Sequence, residues 1–181
     1  MTEHAAQIAI DTFSIDETAR VGRAIGRCCG AGDVVALQGE LGSGKTQLVR
    51  GLAEGMGLDP GQVSSPTFVM AQEYEPPSEK GFEKGVRPLL VHIDAYRIGS
   101  AEELESIGWI GCGEELRENA VVAIEWARLI RPALGEDLLW VAIEHAANGR
   151  RITLSPEGDW SDKMPKLATA LHAFNPTACD E

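Results

Sequence analysis

The residues Gly39, Glu40, Leu41, Gly42, Ser43, Gly44, Lys45 and Thr46 run consecutively and satisfy G-x-x-x-x-G-K-[ST] in full. Each residue type has a task if the loop encloses phosphate. The glycines permit a tight backbone path that turns successive N–H groups inward around anionic oxygens. A helix starting directly behind the loop adds the positive end of its dipole. A lysine at position 45 reaches the β- and γ-phosphates of a nucleoside triphosphate, and the Thr46 hydroxyl can join the coordination of Mg²⁺. A plain glycine turn followed by a chance Lys-Thr is the competing reading. The flanks decide against it, because the apolar run 33–38 precedes the loop and the amphipathic stretch 47–56 follows it. ATP with Mg²⁺ is therefore the ligand expected at residues 39–46.

A triphosphate site also needs a carboxylate to hold Mg²⁺, directly or through water, and a group to orient the attacking water. Asp94 and Glu125 each stand at the end of an apolar, strand-like run, 89–93 and 120–124. In open α/β sheets ligands gather at the carboxyl ends of strands. A cap or turn acid is the alternative for either one, and two acids placed alike weaken that alternative. Thr67 follows Ser64-Ser65-Pro66 and could sense a γ-phosphate. Taken alone, it reads more readily as an ordinary β-branched strand residue. Trp126 suits a base-stacking position and a core position equally. His92, inside an apolar run, reads as structural rather than as a general base, and Arg150-Arg151 as solvated hairpin charge.

The elements that must position these groups follow from pattern. Residues 7–10 suit an edge strand. Ser14 to Glu17 form a Ser-x-x-Glu capping box, so a helix should begin there, with Thr18, Val21, Ile25 and Cys28 on one face and Gly30 at its C-cap. Gly57 should stop the helix that follows the loop. Pro66 introduces a strand over 67–74, and residues 75–88 form an exposed hairpin connection rich in proline, glycine and charge. A second capping box, Ser100 to Glu103, predicts a short helix ending before Gly108. Residues 138–145 and 150–154 flank Asn148-Gly149, a strong signal for a tight antiparallel turn. After Ser155 a loop, a short helix over 163–174 and a polar tail are expected. The fold class is thus α/β, a three-layer P-loop NTPase-like sandwich with a mixed, mainly parallel sheet and a C-terminal antiparallel hairpin. One domain, 1–181, is expected, with a core at about 7–155 and a partly flexible extension over 156–181.

Composition narrows the functional classes. At 181 residues, 44% hydrophobic and 24% charged, the chain reads as an ordinary globular protein with a full core. Its net charge of −12 provides no basic stripe for gripping nucleic acid, so any RNA would be held by a partner. Cys28, Cys29, Cys112 and Cys179 form no CxxC pair and no zinc spacing, and read as reduced, mostly buried thiols. Neither a signal peptide at the start nor a run long enough to span a bilayer is apparent. A cytoplasmic protein is expected.

The segments GELGSGKT, SSPTFVMAQEY, HIDAYRI, EELESIG and AIEWA, in this order, closely resemble the TsaE family, ATPases of bacterial tRNA threonylcarbamoyladenosine biosynthesis. The resemblance runs from about the first helix to the Asn-Gly hairpin. It implies a Mg²⁺-dependent ATPase that works with TsaB- and TsaD-type partners and touches tRNA only indirectly. By position, Lys45 and Thr46 would hold phosphate and Mg²⁺, Glu125 would be the metal and hydrolysis carboxylate, and Asp94 the second essential acid. Thr67 falls in the family's switch-like Ser-Pro-Thr segment, which reverses the plain reading given above. Arg150 falls on the Gly-Arg of the family's hairpin, near the nucleotide. How adenine is held is left open by the sequence: the segment around Ser14 and Ile15 could cover the base, and so could Trp126. The chain departs from the family in a long 75–88 connection, a long tail after Leu154, and Ala127-Arg128 where a proline is common.

Two other classes remain open at this level. A small-molecule kinase would need a cationic lid, for which Arg128 and Arg131 are the candidate pair. A nucleotide-gated interaction module would bind without relevant catalysis. A GTPase is disfavoured because no Asn-Lys-x-Asp motif occurs.

Overall fold

The computed structural model describes residues 7–66, 71–76, 88–98 and 119–172. In chain order these form β1 (Ile8–Thr12), α1 (Ile15–Gly26), β2 (Val34–Gly39), α2 (Lys45–Met56), β3 (Ala71–Tyr74), β4 (Leu89–Asp94), β5 (Ala120–Glu125), β6 (Leu138–Ala146), β7 (Gly149–Glu157) and α3 (Trp160–His172). Short 3₁₀ segments occupy Pro60–Gln62, Ala95–Arg97 and Ala127–Ala133.

The strands build one seven-stranded sheet in the order β1-β7-β6-β2-β5-β4-β3. Its centre, β6-β2-β5-β4, is parallel, and the antiparallel pairings lie toward the edges. This distribution follows from composition. The valine- and alanine-rich strands β2 and β5 have no polar face to offer water, and all six residues of β5 are buried. Alternate side chains feed two cores. Val35, Leu37, Leu90, Val121 and Ala123 pack on one side with α1, α2 and α3. Val34, Ala36, Val91, Ile93, Val122 and Ile124 pack on the other with Ala127 and Ile130. The mixed, mainly parallel α/β sandwich is the expected one.

α1 and α2 lie unusually close. A Cβ on Gly22 or Gly26 would stand 2.0 or 2.2 Å from the Leu48 or Leu52 carbonyl oxygen, and one on Gly51 or Gly55 would stand 1.8 or 2.3 Å from that of Ala19 or Arg23. Two small-residue stripes thus bring the helix backbones into contact and fix the start of α1 beside the start of α2. Ser14 caps α1 by accepting from the Glu17 N–H, while the Glu17 carboxylate accepts from the Phe13 N–H at 2.6 Å.

Several local expectations change. α1 ends at Gly26 with Arg27 as its cap, because Gly30 is engaged in the turn into β2, where its N–H donates to Asp33 Oδ2. The β6–β7 turn is Ala147-Asn148, with Ala146 paired to Gly149, rather than Asn148-Gly149. Gly149 serves a different need, since a Cβ there would stand 2.1 Å from the Thr12 carbonyl oxygen. The loop expected from Ser155 is the end of β7, which pairs there with the start of β6. α3 begins at Trp160, ahead of the expected Lys163, and buries Trp160, Met164, Leu167 and Leu171 in the larger core.

Cys28 is buried, Cys29 part-buried, and both are free thiols that burial pushes up in pKa. Among the described residues no helix is long and apolar enough to cross a membrane. The second capping box, most of the 75–88 connection, Cys112 and Cys179 lie outside the described residues.

Candidate functional site

The loop 39–46 joins the end of β2 to the start of α2, so strand and helix hold it at both ends. Gly44 caps α2 at a φ of 110°, where a side chain would be strained, and uses no side chain as a cap. The first turn of α2 contains no acid, so its N–H groups and dipole stay available to an anion. At Gly39 a Cβ would meet the Ile143 carbonyl oxygen and the Ser43 hydroxyl, each at 2.5 Å. The buried Ser43 hydroxyl has no hydrogen-bond partner. A glycine cradle with an unsatisfied hydroxyl fits a phosphate ligand.

Lys45 is buried inside this loop, where its ammonium donates to the Gly39 and Glu40 carbonyls at 2.9 and 3.0 Å. It also stands 4.0 Å from the centroid of the Trp126 ring. Burial lowers its pKa, and the charges of Glu125 and Asp94 offset part of that effect.

The two acids meet by register. Asp94 and Glu125 are direct partners on the parallel strands β4 and β5, and each is 3% exposed. Glu125 Oε1 accepts from Thr46 Oγ1 at 2.6 Å and faces His92 Nε2 at 3.0 Å. Asp94 does double duty. Its Oδ1 caps the 3₁₀ segment Ala95–Arg97 by accepting from the Tyr96 N–H at 3.0 Å, while Oδ2 accepts from the Ser65 hydroxyl at 3.4 Å. The turn-acid alternative thus holds for one oxygen, and the other faces the site.

Trp126 follows Glu125 with φ 59°, the sole non-glycine residue at positive φ among those described. Such a conformation costs about 1–3 kcal/mol and persists where surrounding contacts enforce it. Here those contacts are Lys45 and Tyr96, whose ring centroid lies 5.1 Å from that of Trp126.

Arg150 reaches back from β7 to the loop. Its guanidinium donates to the carbonyls of Ser43, Gly42 and Gly149 at 3.0, 3.2 and 2.8 Å. Arg151 instead forms an ion pair with Asp11 of the adjoining edge strand at 2.8 Å. Arg151 is thus the solvated hairpin charge that the pair suggests in isolation, and Arg150 is not.

These groups surround a single cavity of about 1050 Å³, lined by the loop from Leu41 onward, Asp94, Glu125, Trp126 and Arg150. That volume lies just above the range of roughly 300–1,000 Å³ usual for small-molecule sites. Phe13 and Ile15, 67% and 70% exposed, line it too, far along the chain from the acids. The described residues contain no cluster of three or more His, Cys, Asp or Glu suited to a metal. The donor set instead suits Mg²⁺, which takes one or two protein oxygens and completes its shell with phosphate and water. Thr46 and Glu125 would supply the protein oxygens, with Asp94 beside them.

Lys45, Thr46, Asp94, Glu125, Trp126, Ile15 and Arg150 therefore adjoin one cavity, and Thr67 lies outside the described residues. Sequence reading passed over His92 as structural. Its signal was the i, i+2 spacing to Asp94, which puts both on one face of a strand.

A family profile described as "Threonylcarbamoyl adenosine biosynthesis protein TsaE" matches residues 12–152. The tRNA threonylcarbamoyladenosine biosynthesis protein TsaE of Streptomyces coelicolor is 38% identical over 145 residues, covering 77% of this chain and 90% of that protein. Its counterpart in Bacillus subtilis is 34% identical over 154 residues, covering 84% and 88%. The crystal structure of Bacillus subtilis YdiB superposes with a TM-score of 0.69 at 26% identity, covering 93% of this chain and 98% of that one. The profile match runs from the end of β1 through the loop and both acids into β7, so the segments that build the cavity are those the relatives share, and the chain belongs to the TsaE family.

Proposed function

We propose that this protein is a Mg²⁺-dependent ATPase that supports formation of threonylcarbamoyladenosine beside the anticodon of tRNA, in company with TsaB- and TsaD-type proteins. The observation that carries the reading is the convergence of Thr46, Glu125 and Asp94 at the carboxyl edge of the central sheet, next to a complete phosphate loop. Thr46 and Glu125 would hold Mg²⁺, which when bound would supply neutralisation of the charge that develops on the phosphates. Thr46 gives its hydrogen to Glu125, which leaves an oxygen lone pair for a metal. Lys45 is held inside the loop by two carbonyls and is partly desolvated, which strengthens its attraction for phosphate. Asp94, with Ser65 against its second oxygen, would hold water beside the metal.

Partner dependence rests on the cations. Among the described residues the cavity is lined by Lys45, Arg50 and Arg150. Arg50 is tied to the Val63 carbonyl and Gln47, and Arg150 to the loop carbonyls. Among the described residues, no arginine lining the cavity is left without such a tie to act as the finger that accelerates phosphoryl transfer by roughly 10³–10⁵. Slow turnover alone and faster turnover in the assembled complex follow. Vigorous hydrolysis by the isolated protein, unchanged by adding the TsaB- and TsaD-type proteins, would sink this reading.

The kinase alternative loses its lid. Arg131 pairs with Glu157 at 2.6 Å and lies over the Trp140 ring, and neither Arg128 nor Arg131 lines the cavity. A purely nucleotide-gated module is separated by Glu125→Ala, which it predicts to keep supporting tRNA modification in cells. Loss of modification with ATP binding retained favours hydrolysis. The net charge of −12 is consistent with tRNA held by the partners in the cytoplasm.

A further inference from the structure

We infer that His92 is a positioning residue, holding the Glu125 carboxylate on Thr46 and away from Lys45; this rests on the Mg²⁺–nucleotide reading above. His92 sits on β4 with no exposure at all, in a strand otherwise made of Leu, Val, Ile and the terminal Asp94. An apolar residue would suit such a place. Its one polar contact is Nε2 to Glu125 Oε1 at 3.0 Å, and its buried Nδ1 has no partner. A carboxylate oxygen accepts, so Nε2 is the donor in this bond. A histidine retained for its own satisfaction would engage both nitrogens. This one leaves a nitrogen unpaired in the interior to serve a single carboxylate oxygen.

That oxygen receives two donors, Thr46 Oγ1 and His92 Nε2, and the pair fixes the rotation of the carboxyl group. The competitor is the Lys45 ammonium, which lines the same cavity as Glu125 yet is bonded to the Gly39 and Glu40 carbonyls. Without the His92 donor, Glu125 keeps one tether and can swing to that ammonium. Such a swing would carry the acid off Thr46 and away from the metal position, while Lys45 keeps its bonds to the loop carbonyls and its reach to phosphate.

The test compares His92→Leu, which removes the donor, with His92→Gln, whose amide nitrogen reproduces the Nε2–H position. The readout is binding of a fluorescent ATP analogue with Mg²⁺ and in EDTA. In Mg²⁺, His92→Leu should bind about tenfold more weakly, with half-saturating Mg²⁺ raised about as much, while affinity in EDTA stays within about twofold. His92→Gln should recover most of the Mg²⁺ response. Equal losses in Mg²⁺ and EDTA, or a His92→Gln variant that folds but lacks the Mg²⁺ response, would overturn the inference. Should His92→Leu fail to fold, the His92→Gln result alone decides. Wild-type binding that ignores Mg²⁺ defeats the underlying site reading, whereas a Mg²⁺-responsive wild type matched by His92→Leu defeats only the role of His92.

Discussion

Thr46 Oγ1 stands 2.6 Å from Glu125 Oε1, a hydrogen bond that spans 79 positions of sequence and joins the first turn of α2 to the last residue of β5. The hydroxyl that follows the phosphate-loop lysine and the acid at the edge of the sheet are therefore one unit. Thr46→Val should abolish the Mg²⁺-dependent gain in nucleotide affinity. A hydrogen bond to a charged group contributes about 1.5–3 kcal/mol, roughly ten- to a hundredfold. Thr46→Ser should retain most of it, as read by Mg²⁺ titration of nucleotide binding.

Arg150 should act on the loop rather than on chemistry. Arg150→Gln removes donors to the Gly42 and Ser43 carbonyls, and should weaken nucleotide binding about tenfold while the protein stays folded. Faster amide hydrogen exchange around Gly42 to Gly44 in the variant would locate the effect in the loop, and unchanged exchange there would argue against it.

Lys45 places a sign on the pH dependence of stability. Its pKa is lowered from 10.5, first by burial, so the unfolded chain binds the proton more tightly than the folded one. The associated stability is present above 10.5 and is lost as pH falls through the lowered folded value. Urea denaturation of wild type and Lys45→Met should show the difference moving in favour of wild type as pH rises toward 10.5.

The α1–α2 contact depends on the absence of side chains. Gly51→Ala should destabilise by about 1–3 kcal/mol or more, despite a helix-propensity gain of about 1 kcal/mol, because its Cβ would collide with the Ala19 carbonyl. Gly30→Ala, with nothing near its Cβ and an ordinary φ, should be nearly neutral. Thermal unfolding of the two variants makes the comparison.

α3 belongs to the larger core. Leu167→Ala should cost about 2–5 kcal/mol of unfolding free energy in urea, the range for emptying a buried leucine site. A change below about 0.5 kcal/mol would mean that the helix is peripheral.

What was legible in the sequence was local. The strand, glycine loop and helix around residues 39–46 carry their signals in adjacent residues, as do the apolar runs that end in Asp94 and Glu125 and the Ser14 cap. Turn geometry was less legible. The Asn148-Gly149 pair points to a turn one residue late, because Gly149 answers to the Thr12 backbone across the sheet rather than to its neighbours. The helix expected to end at Gly30 stops at Gly26 for a similar reason, since Gly30 is already held by Asp33.

The sequence by itself determined the glycine loop between strand and helix and the strand ends on which acids stand, because backbone freedom, charge and periodicity are properties of short segments. Only the tertiary structure decided which of those groups meet. Parallel pairing of β4 with β5 sets Asp94 against Glu125, and the glycine contact of α1 with α2 sets Phe13 and Ile15 over the same cavity. It also turned His92 from a buried strand residue into the partner of the site's central carboxylate. Strand register and helix approach are set by long-range packing, and no single segment encodes them.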